Sequence, residues 1–471
     1  MLPRPPRLRH LLPSLLLASS VVTAACGGED PATDAAPTTP DAGPTPDAPP
    51  PTPSRVGVFG EAVGALDVLV VVDDSASMGE EQAALAEAFG ALTGALAALP
   101  GGLPDLHVGV VSSNVGAGPY PIAGCTGGGD GGALQAAATV VGCAPPDGAF
   151  LSDVDDGAGG RTRNYTGTLP EAFSCISQLG TTGCGFEQHL ESMRRALNGS
   201  APGNAGFLRA DAALLIVVLA DEDDCSALDT TMFDPTDSSP TSALGRLSSF
   251  RCFEFGVDCA VGNDDRRAQG PRDACTPRDD SPYMYHPDEY VEFLRSLKAD
   301  PTRVMVSVIV GDPTPVAVGP DPNDSTSPAL SPSCVSVVGE ASPAIRLAHF
   351  AAQFPARHVV SSICNEDLGP AVADTSALLR TIAGSTCLVG DTPATVPALY
   401  EACTVADVVD LDAPTETRAA LDSCDATGDA PPCFRFVADD ACTLNAAGAR
   451  VELDRGATAP PPGSVVVVDC L

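Results

Sequence analysis

In the stretch Asp73-Asp74-Ser75-Ala76-Ser77, three oxygen-bearing side chains stand on alternate residues: Asp73, Ser75 and Ser77. Hard oxygen donors spaced this way on a tight loop suit Mg²⁺, Mn²⁺ or Ca²⁺ rather than zinc or copper. Far downstream comes Asp221-Glu222-Asp223-Asp224. Four consecutive carboxylates repel one another, and at the ligand edge of a sheet they are costly without a cation. Other chemistries lack their residues: the chain has no His-Glu-x-x-His helix, no Gly-x-Ser-x-Gly elbow and no phosphate loop. The expectation is cation binding without catalysis, with a metal-dependent hydrolase using the acids around Asp221 as the competing enzyme reading.

The elements that must carry these groups follow from periodicity. Val68 to Val72 is a β-branched-rich run suited to a central strand buried on both faces, and it breaks into Asp73, where an open α/β sheet places its ligand site. Leu85, Phe89, Leu92, Leu96 and Leu99 then repeat at helical spacing. Leu106 to Val111 is a second strand, with His107 inside it as a packed or rim residue. Leu214 to Leu219 is a third and runs into Asp221. Between them, Phe186 to Leu197 is an amphipathic helix. Later come a helix from Asp288 to Leu297, a strand from Val304 to Val310, a proline-rich loop to Ser333, and a helix with Ser342-Pro343 as cap and first turn. A strand from Arg357 to Ser361 and a helix marked by Leu368, Val372, Thr375, Leu379 and Ile382 close the series; His349 and His358 read as structural. The fold class is α/β, a doubly wound, mostly parallel sheet flanked by helices.

The Asp73-x-Ser75-x-Ser77 motif, with the hydrophobic strand before it and the helix after it, resembles the von Willebrand factor A family, in which this motif opens the metal-ion-dependent adhesion site. The resemblance covers roughly residues 65–385. It implies that Ser75 and Ser77 coordinate a divalent cation directly, Mg²⁺ first and Ca²⁺ or Mn²⁺ as alternatives, with Asp73 and Asp221 acting directly or through water. The family's second metal loop supplies a Thr within a Gly-Thr pair. Here the loop reads Leu179-Gly180-Thr181-Thr182-Gly183-Cys184-Gly185 before Phe186 and Glu187, so Thr182 and Glu187 both stand as third-ligand candidates. A coordination position left open would accept a carboxylate from a protein partner. The other reading is a structural envelope protein with a degenerate metal site.

Charge and cysteine usage set the surroundings. With 25 Lys plus Arg against 61 Asp plus Glu, the net charge is −36, which excludes nucleic acid as the main partner. Residues 1–25 combine Arg4, Arg7 and Arg9 with an apolar stretch and small residues before Cys26, and this end resembles the lipobox of bacterial lipoproteins. Lipidation of Cys26 would anchor the protein to the cell envelope at the outer membrane or cell surface; ordinary signal cleavage, giving a secreted protein, is the alternative. Residues 27–54, rich in Pro, Ala, Thr and Asp, read as a disordered tether.

The other sixteen cysteines fit no paired Cys-x-x-Cys zinc pattern and read as disulfides of an oxidising compartment. Ten, Cys125, Cys143, Cys175, Cys184, Cys225, Cys252, Cys259, Cys275, Cys334 and Cys364, precede six, Cys387, Cys403, Cys424, Cys433, Cys442 and Cys470. Both counts are even, which suits two separately stapled units: an α/β domain over 55–387 with irregular insertions at 115–185 and 226–286, and a small Cys-rich β module over 388–471. The acidic turn Asp153 to Gly157 lacks the spacing of an EF-hand loop.

Overall fold

The computed structural model describes residues 53–471 except 100, 138, 139, 323 and 338. The signal segment, Cys26 and the tether up to residue 52 lie outside the described residues.

The uninterrupted apolar runs form the middle of a seven-stranded sheet. In spatial order its strands are His358–Ser362, Val304–Val310, Ala213–Ala220, Ala65–Val72, Asp105–Ser112, Leu151–Asp155 and Arg161–Arg163. The first five run parallel, in register through pairs such as Val70 with Val217 and with Val110. The last two are antiparallel. Helices cover both faces, as burial of both sides of a parallel sheet requires. On one face, helices Gly79–Ala97, Leu169–Ser177 and Gly369–Leu379 pack onto Val68, Val70 and Val217, with Phe89 stacked on Phe173. On the other, helices His189–Leu197, Pro287–Ser296 and Ile345–Ala352 pack onto Leu69, Val71 and Ile216.

A second, six-stranded sheet has the order Ser54–Phe59, Val465–Cys470, Cys403–Val409, Thr417–Ser423, Cys433–Ala438 and Ala449–Asp454. Its first strand comes from the start of the folded part, so this sheet is not built from residues 388–471 alone. The reason is pairing: Ser54 to Phe59 lies antiparallel along the last strand, Ser54 opposite Cys470 and Phe59 opposite Val466. Val58, Val408, Val465 and Val467 join the same apolar cluster as the central strand's Val68 and Val70.

Eight disulfides join all sixteen expected cysteines. Cys125–Cys184, Cys143–Cys175, Cys225–Cys252, Cys259–Cys275 and Cys334–Cys364 lie in the first group, and Cys387–Cys442, Cys403–Cys470 and Cys424–Cys433 in the second. This bridge density fits an oxidising, extracytoplasmic setting. Among the described residues no helix is long and apolar enough to cross a membrane.

Three expectations need correcting. Residues 115–185 are not wholly an insertion, because they supply two strands and one helix of the α/β layer; buried Asp153, paired with Arg161 and Arg163 and accepting a hydrogen bond from the Tyr165 hydroxyl, fixes the antiparallel edge. The proline-rich stretch before Ser333 is not a loop. Val316–Asp321 and Asp324–Leu330 pair as a hairpin, which takes Gly270–Arg272 from the second insertion as a third strand. Nor do Ser342 and Pro343 start the next helix, which begins at Ile345. Its free N–H groups at Arg346 and Leu347 donate to the Asp223 carboxylate at 2.8–3.1 Å, a charged acceptor at the positive end of the helix dipole.

Candidate metal centre

Three loops converge at the C-terminal edge of the parallel strands. The first leaves the Ala65–Val72 strand at Asp73, whose N–H still donates to Leu219 O at 3.0 Å. Within it the Ser75 N–H donates to Asp73 Oδ1 at 2.7 Å, closing a tight turn that sets the Ser75 and Ser77 hydroxyls 3.3 Å apart. Two neighbouring ligands of an octahedral ion at about 2.1 Å lie roughly 3 Å apart, so this spacing suits a shared small cation.

The second loop, Leu179 to Gln188, is clamped to the first. Gln82 Nε2 donates to Asp73 O at 2.8 Å and to Gly180 O at 2.9 Å, while the Gly180 N–H donates back to Gln82 Oε1. The Gly183 N–H donates to Asp74 O at 2.8 Å. A Cβ at residue 183 would stand 2.1–2.5 Å from the Asp74 carboxylate, so only glycine permits the approach. Cys184 is bridged to Cys125. The third loop follows the Ala213–Ala220 strand; its Cys225 N–H donates to Glu187 O at 2.7 Å, and Cys225 is bridged to Cys252.

Of the sequence-predicted ligands, Asp73, Ser75, Glu187 and Asp221 are buried, and Ser77 is exposed at the rim. Thr182 is exposed. The charges of Asp73 and Glu222 act on Glu187, which places it among the acids.

The four-acid run splits. Asp223 caps the helix at Ile345, and Asp224 pairs with the buried Arg346 at 3.1 Å and accepts from the Leu190 N–H and the Ser226 hydroxyl. Those two carboxylates have hydrogen-bonding partners without a cation, chiefly Arg346 and Leu347 more than 120 residues away, though burial still pushes Asp223 up to about 6. Asp221 and Glu222 face the site.

There the buried atoms lack partners. Asp73 Oδ2, Glu187 Oε2, Asp221 Oδ1 and Glu81 Oε2 find no hydrogen bond among the described residues. A buried carboxylate oxygen so placed costs on the order of 1–3 kcal/mol or more. Burial and then the Asp73 charge push the Asp221 carboxyl up to about 8, while the Ser77 hydroxyl pulls the other way. Burial, followed by the charges of Glu222 and Asp73, holds Glu187 well above the usual carboxylate range, and Glu222 is raised by burial and Asp73. Asp74 is pushed up to about 7 by burial and then by Asp73. In each case burial is the larger cause and the neighbouring carboxylates add to it.

Sequence reasoning missed His189, which is fully buried with its Nε2 3.7 Å from Asp73 Oδ2, within ion-pair range and beyond hydrogen-bond reach. Burial disfavours its imidazolium, but the neighbouring Asp73 outweighs that and its pKa is raised. A lone histidine carries no spacing signal; its place two residues after Glu187 was the one clue.

Beside Ser77 and Asp221 opens a cavity of about 380 Å³, walled by Phe250 and Phe253 of the second insertion and by Leu330 of the hairpin.

The all-oxygen donor set, two hydroxyls 3.3 Å apart and several partnerless carboxylate oxygens, fits a hard divalent cation. The molecule is an α/β protein with a largely parallel sheet and an oxygen-rich cluster at its ligand edge. No family model matches the chain, and no curated protein matches it. Among solved structures it is similar to a von Willebrand factor type A protein from Catenulispora acidiphila, at 11% identity over 89% of this chain and 66% of that one, with a TM-score of 0.27. The pilus adhesin RrgA from Streptococcus pneumoniae matches at 10% identity over 89% of this chain and 58% of that one, with a TM-score of 0.28. The human COPII-coat protein Sec24c matches at 9% identity over 87% and 44%, with a TM-score of 0.25. The chain thus spans less than two thirds of the length of each of them.

Proposed function

We propose that this chain is a non-catalytic, exported binding protein, anchored to the bacterial envelope through Cys26, whose von Willebrand factor A-like domain holds a divalent cation and uses it to take a carboxylate of a protein partner. Ser75, Ser77, Asp73, Asp221 and Glu187 would hold the ion, Mg²⁺ first. Glu187 is preferred over Thr182 because it is buried among the acids. The observation that carries the reading is the set of buried carboxylate oxygens without partners around Asp73. A bound hard cation supplies positive charge and an exchangeable coordination position; exposed Ser77 and the adjoining cavity leave that side open to a partner.

A second reading has one observation in its favour. Protonated His189 beside Asp73 could serve as an internal cation, leaving a purely structural cluster. Thermal unfolding of the full chain with and without Mg²⁺, Mn²⁺ and Ca²⁺, beside a Ser75→Ala/Asp221→Ala double variant, separates the two. A cation that binds only the folded state raises the melting temperature by mass action. A shift at millimolar cation in the wild type alone supports the binding reading; no shift in either protein leaves the structural one.

A further inference from the structure

We propose that His286, Asp288 and His349 form a second metal site, separate from the oxygen-rich cluster, for a borderline transition-metal ion, Zn²⁺ first. His286 and Asp288 open the Pro287–Ser296 helix, where His286 Nδ1 accepts from the Asp288 N–H at 3.3 Å. His349 stands in the last turn of the Ile345–Ala352 helix. The two helices are held side by side by Tyr290 and Leu294 of one and Leu347 and Phe350 of the other, all fully buried.

One ligand atom from each of the three residues lies within 4.8 Å of the other two, and His349 Nε2 is 2.9 Å from Asp288 Oδ1. The imidazole rings face each other edge to face, centroids 5.6 Å apart. Ligands of a tetrahedral ion at 2.0–2.1 Å sit about 3.3 Å apart, so atoms that lie within 4.8 Å of one another need to draw together by at most about 1.5 Å to share one. Two imidazole nitrogens with one carboxylate distinguish it chemically from the all-oxygen cluster, since nitrogen donors favour zinc, nickel or copper over magnesium and calcium. The positive end of the Pro287–Ser296 helix opposes a cation. Asp288 and Glu289 in its first turn, and Asp279 at 3.4 Å from His286 Nε2, offset it, and the C-terminal end of the other helix favours positive charge. Three protein ligands leave a fourth position for water.

The test is calorimetric titration of the full chain with Zn²⁺ at pH 7.5, and visible absorption with Co²⁺ in its place. It compares the wild type with His286→Ala, His349→Ala, His349→Gln and the Ser75→Ala/Asp221→Ala double variant, with circular dichroism verifying that each is folded. The expected result is one Zn²⁺ equivalent whose affinity falls tenfold or more in every folded histidine variant and is unchanged in the double variant, with Co²⁺ d–d bands that vanish together with the histidines. Absence of Zn²⁺ binding by the wild type, or a loss smaller than tenfold in the folded histidine variants, overturns the proposal. So does a loss that tracks Ser75 and Asp221 instead.

Discussion

One strand carries two buried aspartates with opposite surroundings. Asp67, near the start of Ala65–Val72, accepts from the Arg209 backbone N–H at 2.7 Å and from Arg209 Nε at 2.8 Å, and Lys298 Nζ lies 3.8 Å away. Asp73, just past the other end, has a carboxylate oxygen with no hydrogen bond and further acids around it. Both side chains are fully buried. Burial alone therefore does not mark a site; the charge balance does. Where a buried carboxylate is met by guanidinium and ammonium groups the arrangement is structural, and where several lack such partners the cluster is a candidate site.

Breaking the paired end should cost most. Asp67→Ala leaves the Arg209 and Lys298 charges facing an empty position, and a loss of about 3–5 kcal/mol in chemical denaturation is expected. At the other end the sign reverses. Asp221→Asn replaces a carboxyl that the cation-free fold keeps mostly protonated up to about pH 8, so the cation-free variant should be at least as stable as the wild type, yet it should lose the Mg²⁺ response, which at a hundredfold excess over Kd is worth about 2.7 kcal/mol. Equal losses in both variants would abolish the distinction between the two ends.

A pH series sharpens it further. Asp221 is raised from 3.8 to about 8, so the folded chain keeps a proton that the unfolded chain releases between those values. Its contribution is fully present below pH 4 and is lost as pH rises through 8. The wild type without cation should therefore lose stability relative to Asp221→Asn across that interval, while cation affinity, which competes with the proton, climbs. A flat difference curve would show that Asp221 does not titrate in this way.

The second loop should give smaller effects. Gly183→Ala drives a methyl into the Asp74 carboxylate and should cost roughly 1–3 kcal/mol while weakening the cation response. Thr182→Ala should change stability by less than about 0.5 kcal/mol and leave that response intact, whereas Glu187→Gln should diminish it. If Thr182→Ala removes the cation shift and Glu187→Gln does not, the ligand assignment is reversed.

The central strands were legible because burial on both faces writes an unbroken apolar run, as in Val68 to Val72 and Leu214 to Leu219. The antiparallel edge was not: Leu151–Asp155 and Arg161–Arg163 are short and polar, and they are held by the pairing of Asp153 with Arg161 and Arg163, which no local period reveals. Asp73, Ser75 and Ser77 were readable because one turn holds all three. What Asp221 and Glu222 share, and Asp223 and Asp224 do not, depends on Arg346 and Leu347 more than 120 residues away. Spacing within the run could not separate them.

The pairing of Ser54–Phe59 with Val465–Cys470 also has a mechanical consequence. A pull transmitted through the chain ahead of Pro53 reaches that ladder before it reaches the sheet bearing Asp73 and Asp221. Cys470, opposite Ser54, is fastened by its bridge to Cys403 in the neighbouring strand, so the load passes sideways into the six-stranded sheet. The loops bearing Asp73 and Asp221 leave strands of the other sheet and take no part in that ladder.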